Sequence, residues 1–249
     1  MNNSEGGFNM KIISKIGIWG DSILKGVIFD EVAGKYRSLK NCAVNLVKNS
    51  FSTVDVKNNS RFGCTAPKAE KNLERSLENG YQADVVLLEF GGNDCDYNWA
   101  EVSAEPDGKH TPNTPLSEYI KSMTNMINNL IKHKITPVLM NLPPINADRY
   151  FDWITSPENV NADNVLYWLK EKQVIYRQQE NYSHAIDIMA HEYNVPLIDV
   201  REPFLEIRDY GNYLCVDGIH LNEKGHIFMS KTIESFMRNN IGNKQVAFA

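Results

Sequence analysis

Five short apolar runs, separated by stretches with helical spacing, constrain the architecture of this 249-residue chain more than any other feature. The runs are Ile13 to Trp19, Thr53 to Lys57, Asp84 to Phe90, Ile135 to Asn141 and Val195 to Val200. Continuous apolar segments such as Val85-Val86-Leu87-Leu88, Val138-Leu139-Met140 and Leu197-Ile198 fit strands covered on both faces. Thr53 to Lys57 alternates Val54 and Val56 with polar neighbours, which suits an edge. Between the runs, Leu39, Ala43, Leu46 and Val47 recur at helical spacing, as do Tyr119, Met123, Met126, Ile127 and Leu130. Tyr182, Ala185, Ile186 and Met189 repeat the pattern, and so do Ile227, Ile233 and Phe236. Strands alternating with helices call for repeated right-handed crossovers. The expected fold is α/β, a three-layer α/β/α sandwich around a five-stranded parallel sheet.

The length suits one well-buried domain over residues 1–249, with a core at 10–240 and frayed ends at 1–10 and 240–249. A net charge of −5 argues against nucleic acid or an anionic membrane as partner, because phosphate binding needs concentrated Lys and Arg. Cys42, Cys64, Cys95 and Cys215 share no metal-like or C-x-x-C spacing and read as free thiols in a reducing compartment, with a disulfide left open by the even count. The start of the chain is polar, and the apolar stretch behind it is too short for a secretory leader or a membrane span. The expectation is a cytoplasmic protein acting on a small molecule.

In a sheet of this type ligands sit beyond the carboxyl ends of the strands. Three chemistry-bearing segments map there. The first run stops at Gly20-Asp21-Ser22, where a serine at a helix start meets backbone N–H groups that favour developing negative charge. Capping of that helix by Asp21 or Ser22 is the plainer alternative. Gly91-Gly92-Asn93-Asp94 follows the strongest strand, so the Asn93 amide can donate to an oxyanion or else serve a local turn, with Asp94 bracing the loop. Near the other end, Asp217-Gly218-Ile219-His220 spaces a carboxylate and an imidazole for an Nδ1–H bond, leaving Nε2 free to accept a serine proton, and Asn222 reads as the next helix's N-cap. No metal-ligand spacing, dinucleotide loop or phosphate loop occurs, so no cofactor or metal is implied.

These segments together resemble the SGNH/GDSL hydrolase superfamily of esterases and lipases. Gly20-Asp21-Ser22 resembles its first block, Asn59 to Thr65 its second, Gly91 to Asp94 its third and Asp217 to His220 its last. The second block departs from the commoner form, with Arg61 and Phe62 ahead of Gly63. The resemblance implies a flavodoxin-like sheet and a Ser22, His220, Asp217 triad. It also implies an oxyanion hole from the Ser22 N–H, the Gly63 N–H and the Asn93 side chain. A bottom-up reason exists for Gly63 as well, since a missing side chain lets an N–H approach substrate, although any turn glycine would look the same.

The irregular stretches Asp94 to Pro115 and Pro143 to Asn164 read as long loops that set specificity. They and their surroundings carry Tyr97, Trp99, Tyr150, Phe151, Trp153, Tyr167 and Trp168. Asp21, Asp94, Tyr97, Trp99 and Trp153 are the candidate substrate contacts. The expected substrate is a small-acyl ester, with acetyl on a saccharide favoured because no long exposed apolar segment suits a lipid interface. The alternatives are a lysophospholipase- or thioesterase-type hydrolase, and a binding module that turns nothing over.

Overall fold

The computed structural model describes residues 13–242. In chain order these form β1 (Lys15–Gly20), α1 (Ser22–Lys25), β2 (Val27–Asp30), β3 (Lys35–Ser38), α2 (Ala43–Ser50) and β4 (Asp55–Asn58). Next come α3 (Ala66–Glu78), β5 (Val85–Glu89), α4 (Trp99–Ala104), α5 (Leu116–Lys132) and β6 (Thr136–Met140). The chain ends with α6 (Ala147–Ile154), α7 (Ala162–Leu169), α8 (Gln173–Glu192), β7 (Leu197–Ile198), α9 (Arg201–Leu205) and α10 (Glu223–Met237). Five strands make one sheet in the order β4-β1-β5-β6-β7, with every neighbouring pair parallel. This is the expected α/β arrangement, and the alternating strand β4 is indeed at an edge. From β1 the chain moves outward to β4, then crosses to β5 on the other side of β1. The crevice at that reversal lies beyond the ends of β1 and β5.

Side-chain alternation along β5 divides the core in two. Val85 and Leu87 face α2 and α10, where they pack with Val44, Val47, Met229 and Ile233. Val86 and Leu88 face α3, α5 and α8, packing with Leu73, Met123, Ile127 and Ile186. In α5 the predicted positions Tyr119, Met123, Met126, Ile127 and Leu130 are all buried. A third cluster, from Trp99, Val102, Tyr150, Phe151, Ile154, Val165 and Leu169, caps the carboxyl end of the sheet.

Several expectations need correction. Both stretches read as loops contain helix: α4 lies in the first, and α6 with the start of α7 in the second. The asparagines that made them look irregular are N-caps. Asn98, Asn146 and Asn161 accept from the N–H groups of Glu101, Arg149 and Asn164. Val195 to Val200 pairs only at Leu197 and Ile198. Beyond them the Asn141 side chain takes over, its Oδ1 accepting from Val200 N and Arg201 N at 2.9 and 3.1 Å. Leu39 precedes α2 instead of joining it, and Ile227 is exposed on α10. An antiparallel hairpin, β2 with β3, was not foreseen. Of the ends expected to fray, 1–10 and 243–249 lie outside the described residues, and Arg238–Gly242 extends α10 by a further turn.

Candidate active site

Ser22 opens α1, directly after Asp21 and the end of β1. The cap of that helix is Asp21, whose Oδ1 accepts from Ile23 N at 2.8 Å. Asp21 thereby fills the role that would otherwise compete for the serine, and the Ser22 hydroxyl turns instead to His220 Nε2, 2.9 Å away. His220 Nδ1 lies 2.7 Å from Asp217 Oδ2. With Nδ1–H donating to the carboxylate, Nε2 is the acceptor for the serine O–H.

The Asp217–His220 segment is held by its own backbone. Leu214 and Leu221 bridge antiparallel, Cys215 N donates to His220 O at 2.7 Å, and Gly218 N donates to Cys215 O at 3.1 Å. Gly218 has φ +75°, and a Cβ there would lie 2.8 Å from Arg149 Cβ and Tyr150 N. Only glycine lets this turn lie flat on α6. Asn222 caps α10 through Gly225 N and ties the turn down through bonds to Asn212 O and Leu214 O. Asp217 Oδ1 accepts from Ile219 N and His220 N at 3.1 and 3.0 Å, and Oδ2 also accepts from Tyr36 Oη at 3.0 Å. Burial acts to raise this carboxyl, but the His220 ring and the two N–H groups outweigh it and hold it below the ordinary aspartate value.

Gly63 is third in the turn Arg61–Cys64, with φ +66°. A Cβ there would meet nothing within 4 Å, so backbone conformation, not crowding, calls for glycine. Among the described residues the N–H groups of Ser22 and Gly63 have no acceptor. Asn93 Nδ2 is engaged, donating to Asp21 Oδ2 at 3.0 Å and to Cys64 O at 3.3 Å.

The Ser22 side of the site is crowded with carboxyl groups. Glu89 sits opposite Gly20 on β5, fully buried, its Oε2 accepting from Asp21 N at 3.4 Å. Burial, and then the Asp21 charge, push Glu89 well above the ordinary glutamate value. Burial also pushes Asp21 and Asp94 up to about 6 each. Among the described residues no group of three or more His, Cys, Asp or Glu is arranged to hold a metal ion.

With this geometry in place, comparison with known proteins is decisive. The sequence profile of the GDSL-like lipase/acylhydrolase family matches residues 18–227. The chain belongs to that family. It is 26% identical over 149 residues to the rice (Oryza sativa subsp. japonica) GDSL esterase/lipase WDL1, covering 58% of this chain and 49% of that one. The chain thus spans about half the length of that relative. The lipase/acylhydrolase of Enterococcus faecalis superposes with a TM-score of 0.64 at 20% identity, over 94% of this chain and 100% of that one. A carbohydrate acetylesterase family member from Sinorhizobium meliloti gives 0.62 at 14% identity, over 92% and 100%. At such identities the likeness is one of fold.

Beside the GDSL serine lies a cleft of ≈ 200 Å³. Asp21, Ser22, Asn93 and His220 form one end, and Leu142, Ile145, Leu169, Val174 and Ile175 line its depth. Tyr97 and Trp99 line it as well. Two candidate contacts lie elsewhere. Asp94 is buried behind the rim, where its Oδ1 accepts from Ala66 N at the start of α3 at 2.9 Å. Trp153 packs edge-on against Phe29 and Tyr36. Asp21 is only 1% exposed, with both carboxylate oxygens engaged within the protein. Sequence reasoning missed Tyr36, Glu89 and Asp96. Among the described residues no helix is long and apolar enough to cross a membrane.

Proposed function

We propose that the chain is a serine-dependent carboxylic ester hydrolase acting on small-acyl esters, acetyl on a saccharide being the favoured case. The observation that carries this reading is the continuous chain of hydrogen bonds from Ser22 Oγ through His220 to Asp217. In the first step His220 Nε2 takes the hydroxyl proton as Ser22 Oγ attacks the ester carbonyl. The tetrahedral oxyanion is met by the Ser22 and Gly63 N–H groups. Asn93 joins them by exchanging its longer bond, to Cys64 O, for the oxyanion. His220 then returns the proton to the leaving alcohol, and water discharges the acyl-enzyme by the same route.

Cleft size and charge support the substrate choice. At ≈ 200 Å³ it lies below the ~300–1,000 Å³ of drug-sized sites, which favours a compact ester over a long acyl chain. Its lining includes Asp21, Glu89 and Asp96 and, among the described residues, no Lys or Arg, which disfavours phosphate-bearing esters. Tyr97 and Trp99 offer ring faces of the kind that pack on sugars.

The test is turnover of p-nitrophenyl acetate, butyrate and octanoate by the wild type and by Ser22→Ala. Wild-type turnover of acetate should exceed that of octanoate, and Ser22→Ala should lose at least ~10³-fold. Equal rates in the two proteins would remove the serine mechanism. Octanoate hydrolysed much faster than acetate would overturn the small-acyl assignment and leave the mechanism standing.

A further inference from the structure

The β2–β3 hairpin carries a group that the triad chemistry leaves unexplained. Phe29 and Tyr36 are cross-strand partners, so both side chains point to one face. The hairpin is pinned locally: Asp30 Oδ1 accepts from Val32 N and Ala33 N, and Asp30 Oδ2 pairs with Arg37 Nε at 2.7 Å. A two-stranded ribbon is marginal by itself, so its position depends on what its inner face touches. That face touches the catalytic pair. The Tyr36 ring lies 5.0 Å from the His220 ring, 5.4 Å from Phe62 and 6.2 Å from Trp153, with Phe29 at 5.2 Å behind it. Phe62 stacks nearly parallel on His220 at 6.1 Å. From within this aromatic wall the Tyr36 hydroxyl reaches Asp217 Oδ2, the same oxygen that holds His220 Nδ1.

We infer that Tyr36 is a positioning residue of the catalytic machinery: its hydroxyl shares Asp217 Oδ2 with His220 Nδ1 and draws off part of that oxygen's charge, setting how strongly the carboxylate holds the ring. The inference rests on the serine-hydrolase reading above. It concerns the fourth donor to one carboxylate. Two backbone N–H groups fix Oδ1, so the rotation of the carboxylate is already limited. Tyr36 and His220 then share Oδ2. A donor competing for that oxygen weakens its pull on the Nδ1 proton. Tyr36 is suited to stay a donor, because burial and the neighbouring Asp217 charge push its phenol well above the ordinary tyrosine value.

Other groups also act on this centre. Asp21 from the α1 cap and His226 from α10 interact electrostatically with His220, and Cys215 with both Asp217 and Tyr36. Tyr36→Phe leaves the Asp21, His226 and Cys215 interactions with His220 and Asp217 in place and removes, with the hydroxyl, its own interactions with Asp217, Cys215 and Trp153.

The experiment is the pH profile of kcat/KM for Tyr36→Phe, which keeps the ring and its aromatic contacts. Without the hydroxyl Asp217 pulls harder on His220, so the acid limb should move up by about half a pH unit or more. Site-specific 3-fluorotyrosine at 36, a stronger donor, should move the limb the opposite way and keeps the proposal testable should the phenylalanine variant fold poorly. Phe29→Leu serves as a packing control: it loosens the aromatic wall without touching the hydroxyl, and its acid limb should stay in place. A limb unmoved in Tyr36→Phe, or moved downward, would overturn the inference even if kcat falls. Titration of the His220 ring nitrogens by NMR reads the same shift without turnover. An inactive wild type would therefore refute the esterase reading separately from this one.

Discussion

The two sides of the Ser22–His220 contact bury carboxyl groups equally deeply and treat them in opposite ways. Asp217 is 0% exposed, receives four donors and is held below the ordinary aspartate value. On the nucleophile's side Asp21, Glu89 and Asp94 are 1%, 0% and 0% exposed, and all are raised. Burial alone would raise all of them. The difference lies in the neighbours. Asp217 faces an imidazole, a phenol and backbone N–H groups, whereas Glu89 and Asp94 feel the Asp21 charge, and in Asp21 burial outweighs the Ile23 N–H, the His220 ring and the Asn93 amide. Negative charge is thus favoured beside His220 Nδ1 and made costly beside Ser22, the places where the proposed mechanism forms an imidazolium and an oxyanion.

The harshest way to break this contrast is to remove the fixed charge. Asp217→Asn keeps the shape but presents His220 with an amide that can impose the wrong tautomer. We expect kcat to fall by about 10⁴-fold with KM little changed, read by steady-state turnover of p-nitrophenyl acetate. A loss under tenfold would mean that the four-donor carboxylate is structural only.

Next in size is a stability effect of opposite sign on the two sides. Asp94, raised from 3.8 to about 6, keeps its proton in the folded state over a range where the unfolded chain has released it. The folded protein then binds more protons, so stability falls as pH rises from about 4 to about 6 and stays lower above that. Asp217, being lowered, contributes stability above 3.8 that is lost as pH falls through its folded value. A rise such as that of Asp94 corresponds to about 3 kcal/mol, an upper bound for this site. Asp94→Asn preserves an acceptor for Ala66 N and should flatten the decline between pH 4 and 7, as measured by urea midpoints. An equally steep decline in the variant would place the raised group elsewhere.

The contrast also marks what the sequence could disclose. Ser22, Asn93, Asp217 and His220 were legible because strand ends, glycines and short spacings lie in the linear order of the chain. The sheet was legible because β5 and β6 are apolar through both faces. The hairpin was overlooked because Lys35 to Ser38 is polar on one side and short, so its one buried function, the Tyr36 hydroxyl on Asp217, depends on a contact across 181 residues. Helices α4, α6 and α7 were overlooked because their asparagine caps carry the same composition as a loop. Asp94 and Trp153 had suitable chemistry near the rim, but only packing reveals which way each side chain turns.

The smallest expected effect is the sharpest check on the crowded side. Glu89 is fully buried, with one long bond from Asp21 N and an Oε1 that lacks a hydrogen bond of good geometry. An ionised carboxylate so placed would leave a charge without compensation in the core, a cost of several kcal/mol. A protonated carboxyl avoids most of that cost, and glutamine is nearly its isostere. Glu89→Gln should therefore shift Tm by no more than about 3 °C and leave kcat at neutral pH within about threefold. Its amide can also donate toward the Asp21 carboxylate, so any small change should favour ionised Asp21 and shift the acidic edge of the stability profile downward. A Tm drop beyond about 10 °C with intact packing would mean that Glu89 is charged in the native protein. The two sides would then differ in donors but not in protonation.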